Sequence, residues 1–156
     1  MPKKKRGRKA AVPKKTTAEK TVKTMPLSKI YDSTSIYTTH PIRNYEISKK
    51  FYEDILELPV NLEIPMAGWY EFQLPVKGAM LGLSQYREES GEFKPANSLN
   101  ISISDVEKAK ASLESKGVST SDIIDYPGMV SMISFEDPDK NNIFLIGPPR
   151  VKNSEK

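Results

Sequence analysis

With 156 residues, no cysteine, 37% apolar residues and a net charge of +4, the sequence suits one domain with a core of its own and excludes disulfide and thiol chemistry. No apolar run approaches the ~20 residues of a membrane span, and the N-terminus lacks the apolar stretch of a secretory signal; a soluble intracellular protein is expected, cytoplasmic, or nuclear in a eukaryote. Charge is divided by region: residues 1–29 hold 11 of the 24 Lys and Arg and one acid, Glu19, a balance of +10 that leaves −6 for the rest. The basic character belongs to that first segment, and the remainder carries no electrostatic footprint for nucleic acid.

Residues 1–29 combine Lys, Thr, Ala and Pro with few large apolar side chains, too little to offset the entropy of ordering, and are expected to form a disordered tail. Within it, Pro2-Lys3-Lys4-Lys5-Arg6-Gly7-Arg8-Lys9 resembles a monopartite nuclear import signal, and also an AT-hook in which Lys9 replaces the core proline. Lys3, Lys4, Lys5, Arg6, Arg8 and Lys9 are therefore candidate contacts for a nucleic acid or an import receptor, with the steep salt dependence of phosphate binding.

A domain is expected over residues 30–150, followed by a short C-terminal tail at 151–156. Ser35–Ile42 is rich in β-branched and aromatic residues and reads as a strand. Asn44 can cap a helix over Tyr45–Leu56, in which Ile47, Phe51 and Ile55 fall near helical spacing, and Pro59 ends it. Strands follow at Val60–Ile64, Trp69–Leu74 and Ala79–Gln85, punctuated by Pro65, Gly68, Pro75 and Gly78. Tyr86–Asn97 is polar and reads as a linker. The pattern then recurs: Leu99, Ile101 and Ile103 alternate along a strand, Asp105 caps a helix that stops at Gly117, and strands lie near Ile123–Tyr126, Met129–Glu136 and Asn142–Ile146. Asp137-Pro138-Asp139 and Asn141-Asn142 form the turn of the last hairpin. Strand–helix alternation alone also permits a ferredoxin-like domain, but three strands after each helix point to βαβββ twice. The expected class is α+β, with paired βαβββ modules forming a curved mixed sheet and helices on its convex side.

This order resembles the vicinal oxygen chelate superfamily of glyoxalase I, bleomycin-resistance proteins and extradiol dioxygenases. Besides the closing hairpin, Ser48-Lys49-Lys50-Phe51-Tyr52 followed by Ile55-Leu56-Glu57-Leu58 is similar to the family's first-helix signature, with Glu57 where a glycine is usual. Metal-dependent members hold one divalent ion through four side chains, usually His or Glu. Counting from the matched motifs carries these positions onto Tyr37, Gly82, Ser98 and Phe144, none of which is His or carboxylate. Catalytic metal sites need about three protein ligands, so no metal or other cofactor is predicted.

Strand alternation sorts the remaining candidates. Tyr70, Phe72 and Leu74 face the core, while Trp69, Glu71 and Gln73 share the concave side with Tyr37, Ser98, Asn100 and Phe144. Such a wall suits an organic ligand, stacked on Trp69, Tyr37 and Phe144 and oriented by Gln73, Asn100 and Ser98. The plainer reading has Trp69 and Phe144 filling a collapsed or dimer-buried cavity. Glu71 is either a solvated rim carboxylate or, buried beside Trp69, a candidate general base. His40, the single histidine, falls on the opposite face from Tyr37, before Pro41, and reads as structural.

Three functions follow. The first is metal-independent binding of a small aromatic or amphipathic molecule, by sequestration or sensing, in a homodimer implied by the resemblance. The second is a glyoxalase-like lyase or isomerase, or a dioxygenase, using displaced metal ligands or Glu71. The third is a nucleic-acid-associated protein that binds through its tail, with the domain as a dimerisation platform.

Overall fold

The computed structural model describes Pro26 and residues 35–96 and 98–152. The basic segment from Lys3 to Lys9 lies outside these residues, as does the expected boundary near residue 29. The described part reproduces the doubled pattern: β1 (Ile36–Ile42), α1 (Tyr45–Lys50), β2 (Val60–Ile64), β3 (Trp69–Gln73) and β4 (Ala79–Gln85), then β5 (Leu99–Ser102), α2 (Val106–Ser115), β6 (Ile124–Tyr126), β7 (Val130–Glu136) and β8 (Asn142–Gly147).

Each module closes its own sheet. The first has the order β1-β4-β3-β2 and the second β5-β8-β7-β6; β1 pairs with β4 and β5 with β8 in parallel, and the remaining pairs are antiparallel. The paired modules match the expected α+β class, but as two four-stranded sheets. Among the described residues no ladder joins the two sheets.

Both helices begin at the expected caps. Asn44 is extended and its side chain accepts from the Ile47 amide at 3.2 Å; Asp105 accepts from Glu107 and Lys108 at 3.1 and 3.0 Å. The first helix departs from its expected span. Regular α-helix stops at Lys50, and Phe51–Ile55 forms a π turn in which the Leu56 amide donates to the Phe51 carbonyl at 3.1 Å. Successive residues of an α-helix diverge by about 100°. A wider turn narrows that angle, so that adjacent Phe51 and Tyr52 both enter the core, at 7% and 0% exposure.

Glu57 leaves this turn at φ 57, and Lys140 sits in the β7–β8 turn at φ 71. Glycine enters this left-handed region without the Cβ penalty. Glu57→Gly is expected to raise the urea midpoint of unfolding, although it removes the exposed contact of Glu57 with Lys116. An unchanged or lower midpoint would mean that the surface ion pair outweighs the backbone relief.

The helix-bearing faces of both sheets share one core. Tyr52, Phe72 and Leu83 from the first module and Val106, Ile133 and Ile143 from the second belong to a single cluster, and Phe51 meets Phe135 with ring centroids 6.3 Å apart. Burying one face of each sheet turns the opposite face outward. Those open faces carry Tyr37 at 48%, Ile64 at 41%, Ile124 at 45% and Tyr126 at 50% exposure.

Candidate functional site

On the open face of the first sheet, register places Trp69 opposite Ser84, Glu71 opposite Gly82 and Gln73 opposite Met80. Trp69 reaches diagonally across the strands and lays its indole over Gly82; a Cβ built there would come within 2.6 Å of Trp69 Cζ2 and closer still to Cη2. The ring is fixed from its edge, where Nε1 donates to Glu71 Oε1 at 2.8 Å. Asn61 Nδ2 donates to the other oxygen at 2.9 Å, from a bulge in the β2–β3 ladder. Glu71 is 7% exposed, so it is not the solvated rim carboxylate that one reading of the sequence expected. Each of its oxygens holds a donor, the acceptor-only role of an ionised carboxylate.

Gly82→Ala is accordingly expected to drive the indole off its seat and cost about 1–3 kcal/mol through overpacking. Emission from Trp69, the single tryptophan, reports the displacement, and thermal melting reports the cost. An unchanged emission maximum would show that the ring does not rest on Gly82.

The other candidates are distributed more widely. Tyr37 is on β1 of the same sheet, half exposed. Gln73 is used locally: its amide nitrogen faces the carbonyls of Leu74, Val76 and Ala79 at 3.0–3.2 Å and ties the β3–β4 turn together. Asn100 and Phe144 are direct partners on the open face of the second sheet, with Ser134 beyond Phe144, and exposed Ser98 immediately precedes β5. Tyr37, Trp69, Glu71 and Gln73 thus share one sheet, while Asn100 and Phe144 share the other. Cavities of about 630 and 260 Å³ lie toward the helix side of the modules and are lined by none of these residues.

The side chains at positions 37, 82, 98 and 144 do not make up a divalent-metal site. The direction in which a side chain at position 82 would project is filled by the Trp69 indole, and Phe144 offers no donor atom. Among the described residues no group of three or more His, Cys, Asp and Glu side chains is placed to hold an ion. Tyr37 and Ser98 alone do not supply the three ligands that a catalytic metal requires.

Sequence reasoning missed a second constellation, which joins the modules. Buried Asp137 accepts from the Tyr52 hydroxyl at 2.6 Å and Asn141 Nδ2 at 2.8 Å through one oxygen, and from the Asp139 and Asn141 amides at 2.9 and 2.8 Å through the other. Because the Tyr52 proton goes to Asp137, the network assigns the proton of His40 to Nδ1, which donates to the Tyr52 oxygen at 2.7 Å. His40 is wholly buried, and its Nε2 has no partner among the described residues. Burial is the main cause that holds the His40 pKa below its ordinary value, against a smaller upward pull from Asp137. Asn141 donates to the Pro41 carbonyl at 2.9 Å, and Ser48 donates to Asp139 at 3.1 Å. The available signal was Ser48 and Tyr52, four apart on one helix, together with the polar turn at 137–141.

A family model described as the Glyoxalase/Bleomycin resistance protein/Dioxygenase superfamily matches residues 36–145. Solved structures similar in fold include TnmS3, an antibiotic binding protein from Streptomyces sp. CB03234, at 22% identity and TM-score 0.64, covering 75% of this chain and 97% of that one. Lactoylglutathione lyase from Agrobacterium tumefaciens is 17% identical with TM-score 0.62, covering 74% and 94%. An integron cassette protein from the mobile metagenome of a Halifax Harbour sewage outfall is 20% identical with TM-score 0.62, covering 74% and 99%. No curated protein matches the sequence. Similarity at these identities establishes the fold alone.

Proposed function

The chain belongs to the glyoxalase/bleomycin resistance protein/dioxygenase superfamily, and on that premise we propose that it binds a small aromatic or amphipathic molecule without a metal, by sequestration or sensing. The observation that carries this reading is the Trp69 indole, seated on Gly82 and fixed by Glu71: a rigid aromatic surface on an open sheet face. A planar ligand stacks on such a surface at little entropic cost, because the ring is already immobile. Support also comes from an antibiotic binding protein among the similar folds.

The functional unit in this reading is a homodimer. Within one chain the candidate residues lie on two separate sheets, and the open faces expose Tyr37, Ile64, Ile124 and Tyr126. In this reading the first sheet of one copy faces the second sheet of another, so that Trp69 and Phe144 lie on the facing surfaces and these side chains are covered.

Native mass spectrometry of the full chain, purified without chelator or metal-affinity resin, tests both parts. A metal-free dimer carrying an organic mass is the expected result, with that mass lost in Trp69→Ala. One divalent ion per chain, or ligand retained by Trp69→Ala, would overturn the reading.

A further inference from the structure

We infer that the open face of the first sheet selects an organic cation, an inference that rests on the binding function proposed above and names the chemistry of its ligand. Register defines which side chains share this face: Tyr37 and Thr39 on β1, Met80 and Ser84 on β4, and Trp69 and Glu71 on β3, around Gly82. Glu71 is the single charged group among them. It is buried and meets two neutral donors, the indole N–H of Trp69 and the amide of Asn61, and among the described residues no basic side chain is paired to it. The Arg87 guanidinium donates to the Ala67 carbonyl, ahead of β3, at 3.1 Å.

The two features act in the same direction. A buried anion without a counterion leaves the face at negative potential, since interaction through protein falls off less steeply than through water. The hydrogen bond from the indole N–H to that anion also pushes electron density into the ring, as polarised hydrogen bonds reinforce one another. An electron-richer indole attracts a cation over its face more strongly. A planar cationic heterocycle or a quaternary ammonium group on an aromatic body satisfies both terms at once. A carboxylate or phosphate ligand is repelled by the same arrangement. Among the described residues the second sheet adds no opposing charge: on its open face Asn100, Phe144 and Ser134 are neutral, and Lys140 is engaged by Glu136 at 2.8 Å.

Calorimetric titration of the full-length chain with N-methylquinolinium and with neutral 1-methylnaphthalene, nearly identical in shape, isolates the charge. The cation is expected to bind about tenfold more tightly. Glu71→Gln should reduce that ratio to near one, and Trp69→Ala should lose both probes. Equal or tighter binding of the neutral probe to the unmodified chain overturns the cation preference and leaves the aromatic site standing. If neither probe binds, the preference and the binding function fall together. The comparison on the unmodified chain decides the matter even if Glu71→Gln does not fold.

Discussion

Asp137→Ala is expected to remove a large share of the stability of the fold. The wild-type carboxylate is 3% exposed and accepts four hydrogen bonds, two from backbone amides of its own turn and two from the side chains of Tyr52 and Asn141. Alanine removes every acceptor and leaves the donors buried, so the cost is their desolvation and not merely the lost bonds. Breaking a buried charged constellation in this way costs about 3–5 kcal/mol, against a total stability of about 5–15 kcal/mol for a domain. Tyr52→Phe removes one member and should cost less, about 1.5–3 kcal/mol. Urea unfolding followed by circular dichroism places the two variants in that order. A loss under about 1 kcal/mol for Asp137→Ala would mean that the network contributes little to holding the modules together.

Stability is expected to decline as pH falls from about 6.5 toward 5, and the decline to disappear in His40→Asn. The unfolded chain protonates its one histidine near pH 6.5. In the folded state the His40 pKa lies lower, because the ring is buried, its Nε2 has no partner among the described residues and the cation is poorly solvated there. Between the two values the unfolded chain binds the extra proton, so acid favours unfolding, with a slope of at most about 1.4 kcal/mol per pH unit. The contribution is complete above the unfolded value and lost as pH drops toward the folded one. Five carboxyls held low, mainly by hydrogen bonds with Lys or Arg partners or backbone amides (Glu57, Glu63, Asp105, Glu114 and Asp125), lose their contributions below their ordinary values of 4.5 and 3.8. They titrate outside the histidine window. Urea midpoints at intervals across pH 5–7.5 measure the slope; a flat wild-type profile would show that His40 accepts a proton without cost. In the variant the Asn amide can still donate to Tyr52, so the loss of slope is separable from loss of the network.

Features carried by neighbouring residues were legible in the sequence. Asn44 and Asp105 cap their helices because the polar side chain and its target amides lie two or three residues apart. Tyr70 and Phe72 were assignable to the core, and Trp69 and Glu71 to the other face, because strand periodicity is strict. What failed depended on distant partners. No local pattern shows that Tyr52 meets Asp137 or that Ser48 meets Asp139. The π turn after Lys50 arises from the demands of a shared core on Phe51 and Tyr52, and helical propensity does not register it. Gln73 resembles a ligand contact in alternation, yet three carbonyls in its own turn surround its amide. The buried state of Glu71 follows from Asn61, which enters through a ladder irregularity that the sequence does not announce.

The joint at residues 137–141 also governs how the chain can be made. Ser48, Tyr52 and the Pro41 carbonyl wait for partners 91, 85 and 100 residues further along. A ribosome that has released only the first module has therefore released a segment whose Tyr52 and Ser48 hydroxyls lack their carboxylate acceptors and whose Pro41 carbonyl lacks the Asn141 amide. Its aromatic surface, Phe51 included, is likewise uncovered until β7 emerges. The first βαβββ module is consequently expected to complete its core only once the second has been made.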